Sequence, residues 1–208
     1  IALMSRELLL HHPQIRSYTT IWMDTLRNGT FGLSNTNKLI RFYDGATGLK
    51  TGFTQEAGYC ISATAERDGM ELIAAVMKGA TSDSRNTDAK TLLNYGFSTY
   101  TLLHIEPEEP LPILPVTRGA ADQVSTVLPE EGCAVLLKKE QASGLTQTVE
   151  LPEAAAAPVA AGDRLGTLTV SREGETILAI PLLAGETVER LTWGQAAVQL
   201  LRILTFRS

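Results

Sequence analysis

Asn35-Thr36-Asn37-Lys38-Leu39-Ile40-Arg41-Phe42-Tyr43-Asp44-Gly45-Ala46-Thr47-Gly48-Leu49-Lys50-Thr51-Gly52-Phe53-Thr54 is the stretch from which the rest of this chain is read. Residues 49–54 are a strand candidate, and Gln55-Glu56-Ala57-Gly58 follows as a turn. Residues 59–67 suit a second strand, with Ile61, Thr64 and several small side chains. Asp68-Gly69 is a two-residue hairpin signal, because both central positions of that turn need positive φ. Residues 70–78 are nearly unbroken apolar from Leu72 to Met77, the pattern of a central strand covered on both faces. Over 82–103 the period changes: Ala89, Leu92, Leu93, Gly96, Phe97 and Tyr100 recur at three- and four-residue steps. That spacing predicts a helix with one apolar stripe laid on the sheet. Three consecutive antiparallel strands, with the quoted run on the first, are the expected unit.

Working outward, residues 1–10 are apolar at helical spacing and predict a packed helix, which His12-Pro13 interrupts. They carry neither a basic leader nor a small-residue cleavage site. Trp22-Met23-Asp24-Thr25-Leu26 and Asn28-Gly29 suggest a short element and a turn. Downstream, Pro107, Pro110, Pro112 and Pro115 stand among Glu106, Glu108 and Glu109, the composition of a linker. Short strand candidates follow at 123–128, 133–139, 146–151, 164–171 and 176–183, with Arg172-Glu173-Gly174-Glu175 joining the last two. Residues 153–158 are expected to be an irregular loop. The division is therefore 1–105, a small all-β domain over 106–190, and a helix over 191–208. In that last segment Gln195, Gln199 and Arg202 form a narrow polar stripe, and Trp193 and Phe206 suit an interfacial anchor. It is too short to span a bilayer, and packing on its own domain or on a neighbour is the alternative. The turn around Gly162-Asp163-Arg164 resembles those of biotinyl-type barrels, but no modifiable lysine stands in the needed setting.

Composition narrows the functional classes. The 208 residues are 44% hydrophobic and 20% charged, ordinary for a folded protein with real cores. A net charge of -5, with no basic cluster beyond Lys138-Lys139, argues against a nucleic-acid surface. Cys60 and Cys133 are far apart among apolar neighbours and are expected to be small buried side chains. With His11, His12 and His104 they make no metal-ligand spacing, so no metal and no cofactor is implied.

Chemistry concentrates at Lys50-Thr51-Gly52. A compact ammonium beside a hydroxyl suits a terminal carboxylate, and a glycine lets the strand edge approach a ligand. The tripeptide alone is common by chance, but the extended run is specific. With the strand, hairpin and helix that follow, it resembles the D-alanyl-D-alanine carboxypeptidases among the low-molecular-mass penicillin-binding proteins, serine peptidases that trim peptidoglycan stem peptides. The resemblance implies an α+β architecture. Part of a penicillin-binding, β-lactamase-like transpeptidase domain (an antiparallel sheet with covering helices) would precede the small all-β domain and the C-terminal amphipathic helix. It implies substrate contacts from Lys50, Thr51, Gly52, Thr54 and Arg85, and an oxyanion donor at the main-chain N–H of Phe53. The alternative for Arg85 is a solvated residue at a helix start. The implied partners are a stem peptide ending in D-Ala-D-Ala, β-lactam antibiotics for the full-length protein, and a membrane surface met by the last helix. The implied location is the external face of a bacterial cytoplasmic membrane, with a signal peptide expected upstream of Ile1.

One departure matters. No serine in the chain has lysine three residues on, so the Ser-x-x-Lys nucleophile motif is missing. Ser84-Arg85-Asn86 matches Ser-x-Asn formally, but the family places that element before Lys-Thr-Gly. The expectation is a C-terminal fragment of an acyl-serine carboxypeptidase, inactive by itself. Two rivals remain. A β-lactamase-related hydrolase would share the motif, though its chain normally closes soon after the strands and helix. A non-catalytic cell-wall or protein-interaction module would place the function in the β-domain.

Overall fold

The computed structural model describes residues 1–194, in two compact units that part between Leu102 and Leu103. From 195 on, the helix expected over 191–208 lies outside the described residues. No described helix is long and apolar enough to cross a membrane.

The first unit opens with α1 (Ala2–His11), a 3-10 turn at Pro13–Ile15 and α2 (Arg16–Thr19). Proline cannot continue a helix but starts a new turn well, because its missing N–H would be unpaired there anyway. A hairpin follows, β1 (Met23–Leu26) and β2 (Phe31–Ser34), turning through Arg27, Asn28 and Gly29 with φ of 53°, 55° and 86°. Then come α3 (Leu39–Phe42), β3 (Ala46–Thr54), β4 (Gly58–Arg67), β5 (Met70–Gly79) and α4 (Ser82–Thr99). Contrary to the packed helix expected, α1 buries only Ser5 and Leu9, while Leu3 and Met4 are exposed.

Strands β3, β4 and β5 form an antiparallel sheet in that order, and Asp68 and Gly69 both take the positive φ the hairpin requires. The continuous apolar run was expected on the central strand. Instead β4 is central, and β5 is an edge among the described residues, with Met77 46% exposed. Side-chain size explains the difference. Ile61, Ala63 and Ala65 of β4 pack with Ala89, Leu93 and Phe97 of α4. On the opposite face Ser62 and Thr64 are equally buried, and they are small enough to be covered while keeping hydroxyl partners. Ser62 shares a hydrogen bond with Ser5 at 2.7 Å, and Thr64 accepts one from Thr47 at 2.8 Å.

Helix α4 starts at a reciprocal cap in which Thr81 and Ser84 each accept from the other's backbone N–H at 3.0 Å. It lies close on the sheet: a Cβ at Gly96 would overlap Leu72 Cδ1. The helix stops at Thr99, short of the expected 103, and β6 (Tyr100–His104) follows. Tyr100 and Leu102, two apart, pack on the same core, which is the period of a strand and not of a helix.

The second unit is all-β, as its spacing predicts. It contains β7 (Leu114–Thr117), β8 (Gln123–Val124), β9 (Thr126–Val127), β10 (Ala134–Lys138), β11 (Thr146–Glu150), β12 (Ala155–Ala156), β13 (Arg164–Arg172) and β14 (Glu175–Ala184). One sheet has the order β11-β13-β14-β9, and another β12-β7-β8. Leu168, Val170, Ile180 and Leu182 form one core with Ile105; Leu114, Val116, Val124, Val159 and Val188 form a second. Residues 153–158 are not wholly irregular. Ala155 and Ala156 pair in parallel with Val116 and Thr117, which small side chains permit. The proline-rich approach is tied down too: Gln147 donates to the Glu106 carbonyl at 2.9 Å.

Ile61 is 1% exposed at the centre of the first core. Ile61→Ala is expected to cost about 2–5 kcal/mol in urea-induced unfolding, from lost burial plus the cavity left behind. Ile61→Val should cost about 0.5–1.5 kcal/mol.

Candidate functional site

Strand β3 has β4 on one side, and its other edge lines an open groove of about 810 Å³. Lys50, Thr51, Gly52 and Phe53 line it from β3 and Ser82 and Arg85 from α4, and Trp22, Asn35, Thr36 and Lys38 complete the rim. Five of the six residues singled out from sequence thus meet in one place. The exception is Thr54, whose hydroxyl accepts from Ala57 N–H at 2.9 Å and closes the turn into β4.

The wall begins at an irregularity. The register slips between Ala46↔Ala65 and Gly48↔Thr64, leaving Thr47 as an extra residue in β3. Such a bulge takes main-chain groups out of the ladder, and buried ones need other partners. Thr19 of α2 donates to the Thr47 carbonyl at 2.6 Å, and Asn37 donates to the Gly48 carbonyl at 2.8 Å. Asn37, 2% exposed, also accepts from Leu39 N–H at 3.1 Å, which starts α3. Asn35 donates to the carbonyls of Thr19 and Ile21, at 3.1 and 2.9 Å, and accepts from Asn37 N–H. Two asparagines thereby pin the loop that faces the motif.

Lys50 is exposed in the groove and donates to the Thr51 carbonyl. The Thr51 hydroxyl shares a 2.6 Å hydrogen bond with that of Thr36. A Cβ built on Gly52 meets nothing within 4 Å, so no described neighbour demands glycine there. The space it leaves belongs to the groove. Phe53 is exposed and packs its ring on Tyr59 at 4.5 Å.

Arg85 is not a solvated residue at a helix start. Only 4% exposed, it donates from two nitrogens to Asn86 Oδ1, at 3.2 and 3.0 Å, and from a third to the Cys60 carbonyl at 3.4 Å. Burial pushes its pKa below the ordinary value, but a guanidinium stays charged at any physiological pH. At the rim Lys38 and Asp83 pair at 3.0 Å. The hydrogen bond and charge of Lys38 hold the Asp83 carboxyl below its usual range. The groove is therefore lined by Lys50 and Arg85 while the nearby carboxylate is already paired.

Both cysteines are half-buried and free, not buried as expected. Cys60 lies at the end of β4 beside the 55–58 turn, and its thiol donates to the Ala57 carbonyl at 3.3 Å. The residues that sequence reasoning missed are Asn35, Thr36 and Asn37. A signal was present, since asparagine just before a helix start commonly accepts from the backbone two residues on.

Comparison with known proteins finds two family models that match parts of the chain. Residues 1–81 match the family model of D-alanyl-D-alanine carboxypeptidase, and residues 104–190 that of the penicillin-binding protein 5 C-terminal domain. D-alanyl-D-alanine carboxypeptidase DacF of Bacillus subtilis is 42% identical over 103 residues, 48% of this chain and 26% of that protein. Penicillin-binding protein 5 of Haemophilus influenzae superposes with a TM-score of 0.69 at 23% identity, over 91% of this chain and 55% of that one. A peptidoglycan synthesis regulatory factor, PBP3, of Streptococcus pneumoniae gives 0.63 at 27% identity, over 89% and 55%. The chain thus spans about half of each of these solved structures and about a quarter of the curated relative.

Asn37→Ala strands the Gly48 carbonyl and the Leu39 N–H in a buried place, and should cost about 1–3 kcal/mol in denaturant unfolding. The Asp83 carboxyl should titrate by NMR below its ordinary 3.8 and move back up in Lys38→Met. Because the folded-state value is the lower one, any stability from this pair is present above the ordinary value and lost as pH falls through the lowered one.

Proposed function

We propose that this chain, whose residues 1–81 match the D-alanyl-D-alanine carboxypeptidase family model, is part of a protein that removes the terminal D-alanine from peptidoglycan stem peptides. One observation carries the reading: Lys50, Thr51 and Arg85 meet around an open groove along the edge of β3 that is unpaired among the described residues. An ammonium, a hydroxyl and a buried guanidinium are what a peptide with a free terminal carboxylate requires. Hydrogen bonds to a charged group contribute about 1.5–3 kcal/mol each. The open side of Gly52 admits the peptide backbone against the strand.

In this reading a serine attacks the carbonyl of the last peptide bond, and the Phe53 N–H donates to the oxyanion that forms. Such a donor is worth about 3–4 kcal/mol in the transition state. D-alanine leaves, and water hydrolyses the acyl-serine. β-Lactams acylate the same serine. The 208 residues contain no Ser-x-x-Lys, and nucleophile and base then come from a part of the parent protein outside them. This chain then supplies the carboxylate-holding wall and is inactive alone. An extracytoplasmic location, a signal peptide and membrane attachment through 191–208 belong to the same proposal. They rest on the family resemblance and on the amphipathic pattern of that segment.

The expected outcome is that fluorescent penicillin does not label the 208-residue chain but labels the longer protein carrying Ser-x-x-Lys. Labelling of a serine within the 208 residues would falsify the division of labour. In the longer protein Lys50→Ala should lower kcat/KM for a D-Ala-D-Ala peptide about 10- to 100-fold, the loss of one charge-assisted contact.

A further inference from the structure

We infer that Thr36 is a positioning residue for the carboxylate, acting through Thr51 to decide which way the Thr51 hydroxyl points. The inference rests on the carboxylate reading of the groove and goes one residue beyond it. The two hydroxyls lie 2.6 Å apart, and among the described residues no other side-chain hydrogen bond reaches either one. Each hydroxyl has a single proton to give, so within the empty pair either can be the donor. A carboxylate removes that freedom because it only accepts. With the anion beside Lys50, Thr51 must donate to it, and Thr36 must then donate to Thr51. The resulting chain, Thr36 to Thr51 to carboxylate, has one direction only, and hydrogen bonds in series polarise one another.

The setting of Thr36 suits this task. Its own side chain is exposed on the groove rim, so it holds no core together. Its two sequence neighbours are anchored, Asn35 by hydrogen bonds to the Thr19 and Ile21 carbonyls and Asn37 by one to the Gly48 carbonyl. The same clamp that fixes the start of the motif strand therefore fixes Thr36 Oγ1 relative to Thr51. A peptide ending in an amide presents N–H donors as well as a carbonyl, and it can meet the pair in either direction. Thr36 is thus a determinant of carboxylate over amide, beyond the charge of Lys50.

The test uses the 208-residue chain and two synthetic probes, one peptide ending in D-Ala-D-Ala with a free carboxylate and its C-terminal amide. Affinities are read from NMR chemical-shift titrations of the Thr51 and Gly52 amides. Wild type should favour the carboxylate. Thr36→Val, which keeps the shape and removes the hydroxyl, should reduce that preference about 3- to 10-fold, the range expected for one hydrogen bond. Thr36→Ser should restore it, and neither variant should change the melting temperature. Full preference retained in Thr36→Val overturns the inference and leaves the carboxylate reading standing. Absence of any preference in wild type overturns that reading, and this inference with it.

Discussion

A β-strand can be enclosed on both faces only if the side chains on each face fit the space its neighbours leave, and β4 meets that condition with very small residues. Ile61, Ala63 and Ala65 point into the core with α4, while Ser62 and Thr64 are buried on the other face against hydroxyl partners from α1 and β3. The placement of β3 depends on this. Its residues pair with β4 in the register Lys50↔Ser62, Thr51↔Ile61 and Gly52↔Cys60, so a rigid β4 holds the motif at a fixed height. A one-residue slip would turn Lys50 and Thr51 to opposite faces. Ser62 and Thr64, on the face of β4 away from α4, make a slip of that strand costly, because it would turn their hydroxyls into the core with α4.

The edge that β3 turns to the groove is shaped at its start by the bulge at Thr47. The carbonyls there are met by Thr19 and Asn37, which precede the residues they bond by 28 and 11 positions. A short loop thus does two things at once, meeting a carbonyl of the bulge through Asn37 and forming part of the groove's rim. Electrostatics follows from the same arrangement. The chain carries a net charge of -5, yet the groove wall presents Lys50 and Arg85, and the carboxylate of Asp83 is held by Lys38. Charges fixed against low-dielectric walls act more strongly on a ligand than the same charges spread over a surface.

Much of this was legible from sequence. Asp68-Gly69 announced its hairpin because few residue pairs accept positive φ twice, and both do so. The stripe Ala89, Leu93 and Phe97 announced the covering helix because the 3.6 period places these residues on one face. What was misread shares a cause. Leu72 to Met77 looks central because it is apolar, whereas enclosure is decided by which strand has neighbours on both sides. Residues 100–103 continue a helical spacing by coincidence, and Tyr100 and Leu102 are claimed by a strand.

By itself, then, the sequence determined the strand-hairpin-strand-helix order, the all-β character of the second unit, and the chemistry concentrated at Lys50-Thr51-Gly52. Each of these depends on local preferences: turn dihedrals, side-chain periodicity and the functional groups of adjacent residues. Only the tertiary structure decided that Arg85 is a buried wall of the groove, that Asn37 meets the Gly48 carbonyl at the bulge, and that Thr36 meets Thr51. Those are contacts between residues 11 to 25 positions apart. Such contacts form when chain segments are brought together by the packing of β4 against its helices, and no local preference encodes them.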